Sequence, residues 1–329
     1  MLYLGLIFFN FLFLIFFNVF EKKINIYDFP DGINKIHNKK ISLLGGVIFF
    51  SNLLIFLIYS SLFSSHDNLS IFGFTTNLSF KVFIISSFII FCLGILDDKI
   101  NLSVRLRLLS LVIIVVLNLF FNEMLLIKQV RLSFADSFFL GNFSYLWTLI
   151  CFLLLINAFN FFDGLDIQSS GLIFAICFFF LFNNSFVEII LVILIANTFF
   201  LYLNYNSKTF LGNSGSFFLP FFLGSLLITN YNNNSQINAD QIVILLLVPG
   251  LDLFRLFFFR LLNKKNPFKG DNEHIHHYLI KKFSKINSAL IVQLLIWIPL
   301  LISEIWNNFF IAFMIQIILY IFLIIKYKN

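Results

Sequence analysis

Asp97 and Asp98 stand side by side at the end of a long apolar run, and adjacent carboxylates repel each other unless a cation or a proton lies beside them. The doublet suits a divalent cation or a proton acceptor; the bland alternative is a solvated helix end. Asn157, Asn160 and Asp163 recur every third residue, which puts their polar ends on one face of a helical turn. Gly164 lets backbone approach closely there, or else serves as the left-handed cap of a finished helix, and Asp166 follows. Gly212, Asn213, Ser214, Gly215 and Ser216 precede another apolar run, so their N–H groups either open a helix N-terminus suited to phosphate or form a plain turn. His274, His276 and His277 place three imidazoles within four residues of a chain with 5 histidines. No cysteine lies near them, so hydrogen bonding to a phosphate, from both nitrogens when protonated, suits them better than zinc. With Arg105 and Arg107 added, these are the residue types that diphosphate handling requires, since phosphoryl transfer asks protein for positioning and charge neutralisation.

The elements that must hold these residues are membrane spans. At 60% hydrophobic and 12% charged residues, with mean hydropathy +0.96 and only 5 prolines, the chain lacks the polar surface to clothe a soluble domain. Its 51 phenylalanines reflect a compositional bias and face lipid or neighbouring helices rather than forming a binding surface. Cys92, Cys151 and Cys177 fall inside apolar runs with no metal-type spacing and give no disulfide framework. The opening run, 2–20, has no basic n-region or small-residue cleavage site and reads as a retained first span.

A ruler of about 20 apolar residues per crossing predicts ten to eleven spans, near 2–20, 41–63, 80–96, 104–121, 144–159, 171–183, 186–203, 216–229, 241–262, 288–303 and 308–325. The expected fold is therefore an all-α, polytopic transmembrane helical bundle forming a single domain, 1–329. With the N-terminus outside, 17 of the 22 basic residues fall on one side, which the positive-inside rule makes cytoplasmic. The net charge of +6 thus records topology and implies no nucleic-acid partner. Every unusual polar cluster (28–46, 96–107, 157–166, 210–216 and 264–285) falls on that same face. Carboxylates kept beside apolar runs are costly, and four of them at one face imply a site.

In this order the motifs resemble the polyprenyl-phosphate N-acetylhexosamine-1-phosphate transferases, the superfamily that also holds the muramoyl-pentapeptide transferase. The resemblance rests on Lys35-Ile36-His37 with Gly45-Gly46, Asp97-Asp98 with Leu102-Ser103-Val104-Arg105, and Asn157, Asn160, Asp163-Gly164 and Asp166. It continues through Gly212, Gly215 and Ser216 to Pro267-Phe268, Asp271 and His274-Ile275-His276-His277. The His-Ile-His-His form is similar to the bacterial members that initiate O-antigen or related glycans. The resemblance implies an enzyme of the bacterial cytoplasmic (inner) membrane with its site facing the cytoplasm. There undecaprenyl phosphate would attack the β-phosphate of a UDP-N-acetylhexosamine, with magnesium, or manganese in its place, as cofactor; a homodimer is compatible. It further implies that Asp97 and Asp98 serve the nucleophile, that Arg105 and Arg107 hold the lipid phosphate, and that Asn160 and Asn213 ligate the metal. Asp163 and Asp166 would shape the nucleotide site, His274, His276 and His277 would contact the diphosphate, and Asn157, Gly212, Ser216 and His37 would bind substrate.

Three departures stand out. Asn213 replaces the usual aspartate, Asn101 a frequent third acid, and Ile167-Gln168 the glycine and apolar residue that usually follow the second aspartate. Two other classes compete: a non-catalytic paralogue that binds lipid phosphate or glycan-assembly partners, for which Asn213 argues, and a transporter. A transporter usually shows repeated halves and midplane charges, and no internal repeat is visible.

Overall fold

The computed structural model describes residues 1–30, 37, 39–63, 68–265, 273–306 and 308–327. Its helices are α1 (Leu2–Ile15), α2 (Phe17–Ile24), α3 (Gly45–Phe63), α4 (Asn68–Phe72), α5 (Asn77–Ile100), α6 (Val104–Phe121) and α7 (Ser144–Phe162). They continue with α8 (Gln168–Phe182), α9 (Val187–Tyr205), α10 (Gly212–Asn233), α11 (Ala239–Leu262), α12 (Ile275–Ile280), α13 (Lys285–Trp306) and α14 (Phe309–Tyr327). Extended structure is limited to two antiparallel pairs, β1 (Tyr27–Asp28) with β2 (Ile41–Ser42) and β3 (Gln129–Leu132) with β4 (Ala135–Phe139).

Each expected span corresponds to an apolar helix or, for the first, to a bent pair. Among the described residues eight helices are long and apolar enough to cross a membrane, and α1 with α2 makes a ninth if the pair counts as one span. That pair bends by 71° at Phe16, a few residues before Glu21, Lys22 and Lys23, so the first expected span, 2–20, is broken rather than one straight helix. The two remaining runs depart for different reasons. α8 has 15 residues and so a length of about 22 Å, short of a hydrocarbon core about 30 Å thick. α10 is long enough but carries Ser214, Ser216, Ser225, Thr229 and Asn230, and it is buried continuously from Ser214 to Tyr231. Protein, not lipid, surrounds it, which relaxes the demand for apolar side chains.

α10 is the axis of the bundle, packed against α3, α5 and α7. Gly94 of α5 makes a close crossing against backbone: a Cβ there would lie 2.4 Å from the Asn213 carbonyl oxygen and from Ser214 Cα. Small residues let helices approach this closely where no hydrophobic force drives association in lipid. Phenylalanines fill the space beyond, with Phe83 and Phe222 at 5.3 Å between ring centroids and Phe50 stacked on Phe91 at 4.1 Å. Buried amides pair across helices, Asn10 with Asn52 at 2.7 and 3.1 Å and Asn197 with Ser170 at 3.0 Å. At the end away from the carboxylates, the β3–β4 hairpin closes α10: Arg131 donates to the carbonyls of Asn234 and Ile237 and stacks on Tyr231.

Candidate active site

α5 delivers both leading carboxylates in its last turn, but consecutive helical residues diverge, and the two acquire different partners. Asp97, 3% exposed, accepts the Leu102 N–H at 2.8 Å and faces Arg107 Nη1 at 3.3 Å. Asp98 accepts the N–H groups of Asn213 (2.9 Å) and Ser214 (3.2 Å). The first amides of α10, expected to suit phosphate, are therefore given to a carboxylate of this chain, which has the sign the helix dipole favours. Gly212, at φ +72°, sets up this contact, because a Cβ would lie 2.9 Å from Asp98 Oδ2. Asn101 ends α5 at φ 49°, a conformation asparagine tolerates better than most residues, and Ser103 caps α6 by accepting the Leu106 N–H.

Asn157 and Asn160 lie on the last turns of α7, and Asp163 follows its final residue. Asn160 Oδ1 accepts the Ser216 hydroxyl at 2.8 Å, joining α7 to α10, while Asn157 donates to the Leu153 carbonyl at 2.7 Å. Asp163 has no ion pair among the described residues. Burial pushes its carboxyl up to about 8, the Asp166 and Asp98 anions add to the rise, and the Ser169 hydroxyl opposes it. Asp166, also raised by burial, accepts the Ser207 hydroxyl at 2.9 Å and feels the opposing charges of Lys285 and His37. Gly164 is not a left-handed cap. It is there for close approach, since a Cβ would lie 2.5 Å from the His276 ring. Ile167 takes up φ +75°, the conformation for which the family's usual glycine is suited, and its N–H donates to Asn204 Oδ1 at 2.6 Å.

The three histidines form one cluster, His274 parallel to His276 at 5.4 Å between centroids and His276 4.3 Å from His277. Burial first, and then its two neighbours, hold the His276 imidazole well below its ordinary pKa, so it is neutral near pH 7 and donates from one nitrogen rather than two. His274 meets Asp252 of α11 at 2.8 Å through Nδ1. Asp252, with Arg255 and Tyr320, is a set the motif reading passed over. The available signal was an aspartate inside an apolar run, rare within a span and usually functional. His37 lies 2.8 Å from Asp28 and close enough to Asp166 to act on its charge. Arg105 is exposed and stays outside the cluster, whereas Arg107 turns inward. Lys35, Ile36, Pro267, Phe268 and Asp271 lie outside the described residues.

Two cavities meet at this site. A pocket of about 180 Å³ is lined by Arg107, Asn157, Arg260 and His274 at its polar end. It shares Leu154, Leu253 and Phe254 with an apolar pocket of about 440 Å³ that runs between α7, α10 and α11 toward Tyr231. The arrangement accommodates an anion at one end and a hydrocarbon chain at the other. No group of three or more His, Cys, Asp or Glu side chains among the described residues is arranged to hold a metal ion. The donors present are a carboxyl without an ion pair, Asp163, and the neutral amide oxygens of Asn160 and Asn213. Such a sparse set suits a hard cation that keeps waters and draws further ligands from substrate phosphates.

Residues 80–231 match the model of glycosyl transferase family 4. The chain is 30% identical over 279 residues to the undecaprenyl-phosphate alpha-N-acetylglucosaminyl 1-phosphate transferase of Thermotoga maritima, covering 84% of this chain and 80% of that protein. It is 28% identical over 320 residues to the probable undecaprenyl-phosphate N-acetylglucosaminyl 1-phosphate transferase of Bacillus subtilis, covering 91% and 84%. With the Escherichia coli K12 undecaprenyl-phosphate alpha-N-acetylglucosaminyl 1-phosphate transferase it shares 25% identity over 287 residues, covering 83% and 74%.

Proposed function

This chain belongs to the polyprenyl-phosphate N-acetylhexosamine-1-phosphate transferase family, and on that premise we propose that it moves N-acetylhexosamine-1-phosphate from a UDP-sugar onto undecaprenyl phosphate and releases UMP. One observation carries the reading: a polar pocket with two arginines and a histidine opens into an apolar groove, which is the shape and polarity of a phosphate on a long hydrocarbon chain. A lipid-phosphate oxygen attacks the β-phosphorus of the donor; that P–O bond forms as the bond to the α-phosphate bridging oxygen breaks, and UMP departs with the electron pair. A phosphate monoester is already largely ionised near neutral pH, so the protein positions the nucleophile and has no need of a strong base.

In this reading Arg107, Arg260 and His274 hold the lipid phosphate, and Asp97 orients Arg107 through their 3.3 Å contact. Asp98, anchored on the first amides of α10, fixes the spacing between α5 and the 212–216 turn. His276 and His277 face the diphosphate, and Asp166, His37 and Lys285 border the nucleotide. Asp163, Asn160 and Asn213 would hold Mg²⁺, or Mn²⁺ in its place, which supplies charge neutralisation for the donor diphosphate. The basic, site-bearing end faces the cytoplasm of a bacterial inner membrane, and the product starts a lipid-linked glycan such as an O-antigen.

The test is UMP release by purified protein with Mg²⁺, undecaprenyl phosphate and a panel of UDP-N-acetylhexosamines. UMP that appears only when lipid and one donor are both present supports the transferase and identifies its sugar. Folded protein that releases none with any donor favours the non-catalytic paralogue, with Asn213 as the lost ligand.

A further inference from the structure

Asp252 is 5% exposed in the middle of α11, and it is the hub of a polar set joining three helices. Its Oδ2 lies 2.8 Å from His274 Nδ1. Its Oδ1 accepts the Ile275 N–H at 3.2 Å, the Tyr320 hydroxyl at 2.9 Å and Arg255 Nη2 at 2.8 Å. Arg255 is held in turn by Tyr320 at 3.0 Å and by the Glu273 carbonyl. An ionised carboxylate only accepts, so the proton of this contact belongs to Nδ1, and Nε2 is left to face outward, an acceptor in the neutral ring and a donor in the imidazolium. Phe161 packs at 5.5 Å from the His274 ring and His276 stacks at 5.4 Å, so the ring plane is set as well. His274 also lines the pocket shared with Arg107, Asn157 and Arg260.

We infer that Asp252 is a positioning residue: it takes the Nδ1–H of His274 and fixes the ring orientation so that Nε2 faces the lipid phosphate and donates to it once the ring carries its second proton, while Arg255 and Tyr320 keep Asp252 itself in place. The inference rests on the transferase reading for what His274 touches, but its geometric core does not. The competing account is structural, in which the set only clamps α11, α12 and α14 together. For histidines that ligate metals, the partner that orients the ring contributes roughly 10- to 100-fold in activity, and the same range is expected of Asp252.

Two measurements decide it. Asp252→Asn is expected to lower kcat by roughly 10- to 100-fold, with the donor KM unchanged, and Asp252→Glu to recover part of that loss. In a His274→Ala background Asp252→Asn should cost nothing more, because its effect passes through that ring. Tyr320→Phe, which leaves the Oδ2 contact intact but removes one support of Asp252, should lower kcat by less than Asp252→Asn does. A loss that multiplies with that of His274→Ala, or wild-type kcat in Asp252→Asn, overturns the assignment.

The second measurement is the ¹⁵N spectrum of histidine-labelled protein, which is tractable because the chain has 5 histidines and His274→Ala identifies the signal. Wild-type His274 should carry its proton on Nδ1, and Asp252→Asn should redistribute it. A His274 in the Nε2–H form in wild type overturns the inference even if Asp252→Asn fails to fold. Wild-type protein that releases no UMP while showing the expected nitrogen spectrum overturns the transferase reading and leaves the Asp252–His274 relation standing.

Discussion

At the scale of single residues, the departures from the family pattern acquire physical meanings. Ile167 is β-branched at φ +75°, a strained conformation costing of order 1–3 kcal/mol, which surrounding contacts such as the Asn204 hydrogen bond must offset. Ile167→Gly is expected to raise stability by about 1 kcal/mol, after glycine's own backbone entropy is set against the relieved strain; thermal unfolding in detergent measures it, and an unchanged or lower midpoint refutes the strain. Asn213 makes no side-chain hydrogen bond among the described residues, so Asn213→Asp has room to supply a charged ligand. Turnover should stay similar or rise and saturate at lower Mg²⁺. Complete loss in a folded variant removes position 213 from the metal site. Asp163 gives a pH signature: its folded carboxyl titrates near 8 against 3.8 unfolded, so the folded state binds the proton more tightly and stability declines as pH rises through that window. Asp163→Asn should abolish this decline and gain on wild type from about pH 4 to about pH 8, levelling above. Unfolding midpoints across that range check the sign, and Mg²⁺ should flatten the wild-type slope.

At the scale of elements, α10 explains why the site forms where it does. Its N-terminus must sit within reach of Asp98 and Ser216 within reach of Asn160, and both demand close crossings. Gly94 is the critical one, because the atoms facing it are backbone and cannot swing aside. Gly94→Ala should cost about 1–3 kcal/mol as an overpacked crossing and lower activity with it. Gly5→Ala, with nothing within 4 Å, is the control and should be neutral or slightly stabilising. Equal midpoints for the two variants would show that α5 and α10 can separate without penalty.

At the scale of the whole molecule, helices distant in sequence enclose a path from the polar pocket to a groove between α7, α10 and α11. Leu246 lines that groove away from the charged groups. Leu246→Trp should raise KM for undecaprenyl phosphate while leaving KM for the donor and the fold unchanged; a variant with unaltered lipid KM would put the hydrocarbon chain elsewhere.

Composition and spacing alone settled that this is a helical membrane protein, where its apolar helices lie to within a few residues, and that its polar clusters share one face, because lipid taxes every exposed polar group and the price is written directly into the chain. The motif types were legible for the same reason: Asp98, Asp163 and His276 are costly residues for such a chain to keep. Pairings were not legible. That Asp98 takes the amides of α10, that Gly164 makes room for His276, that Arg105 turns out while Arg107 turns in, and that Asp252 holds His274 depend on how helices far apart in sequence cross. The polarity of α10 and the shortness of α8 defeat a ruler of length and hydropathy for a related reason. Such a ruler assumes lipid on every side, whereas tertiary packing surrounds α10 with protein.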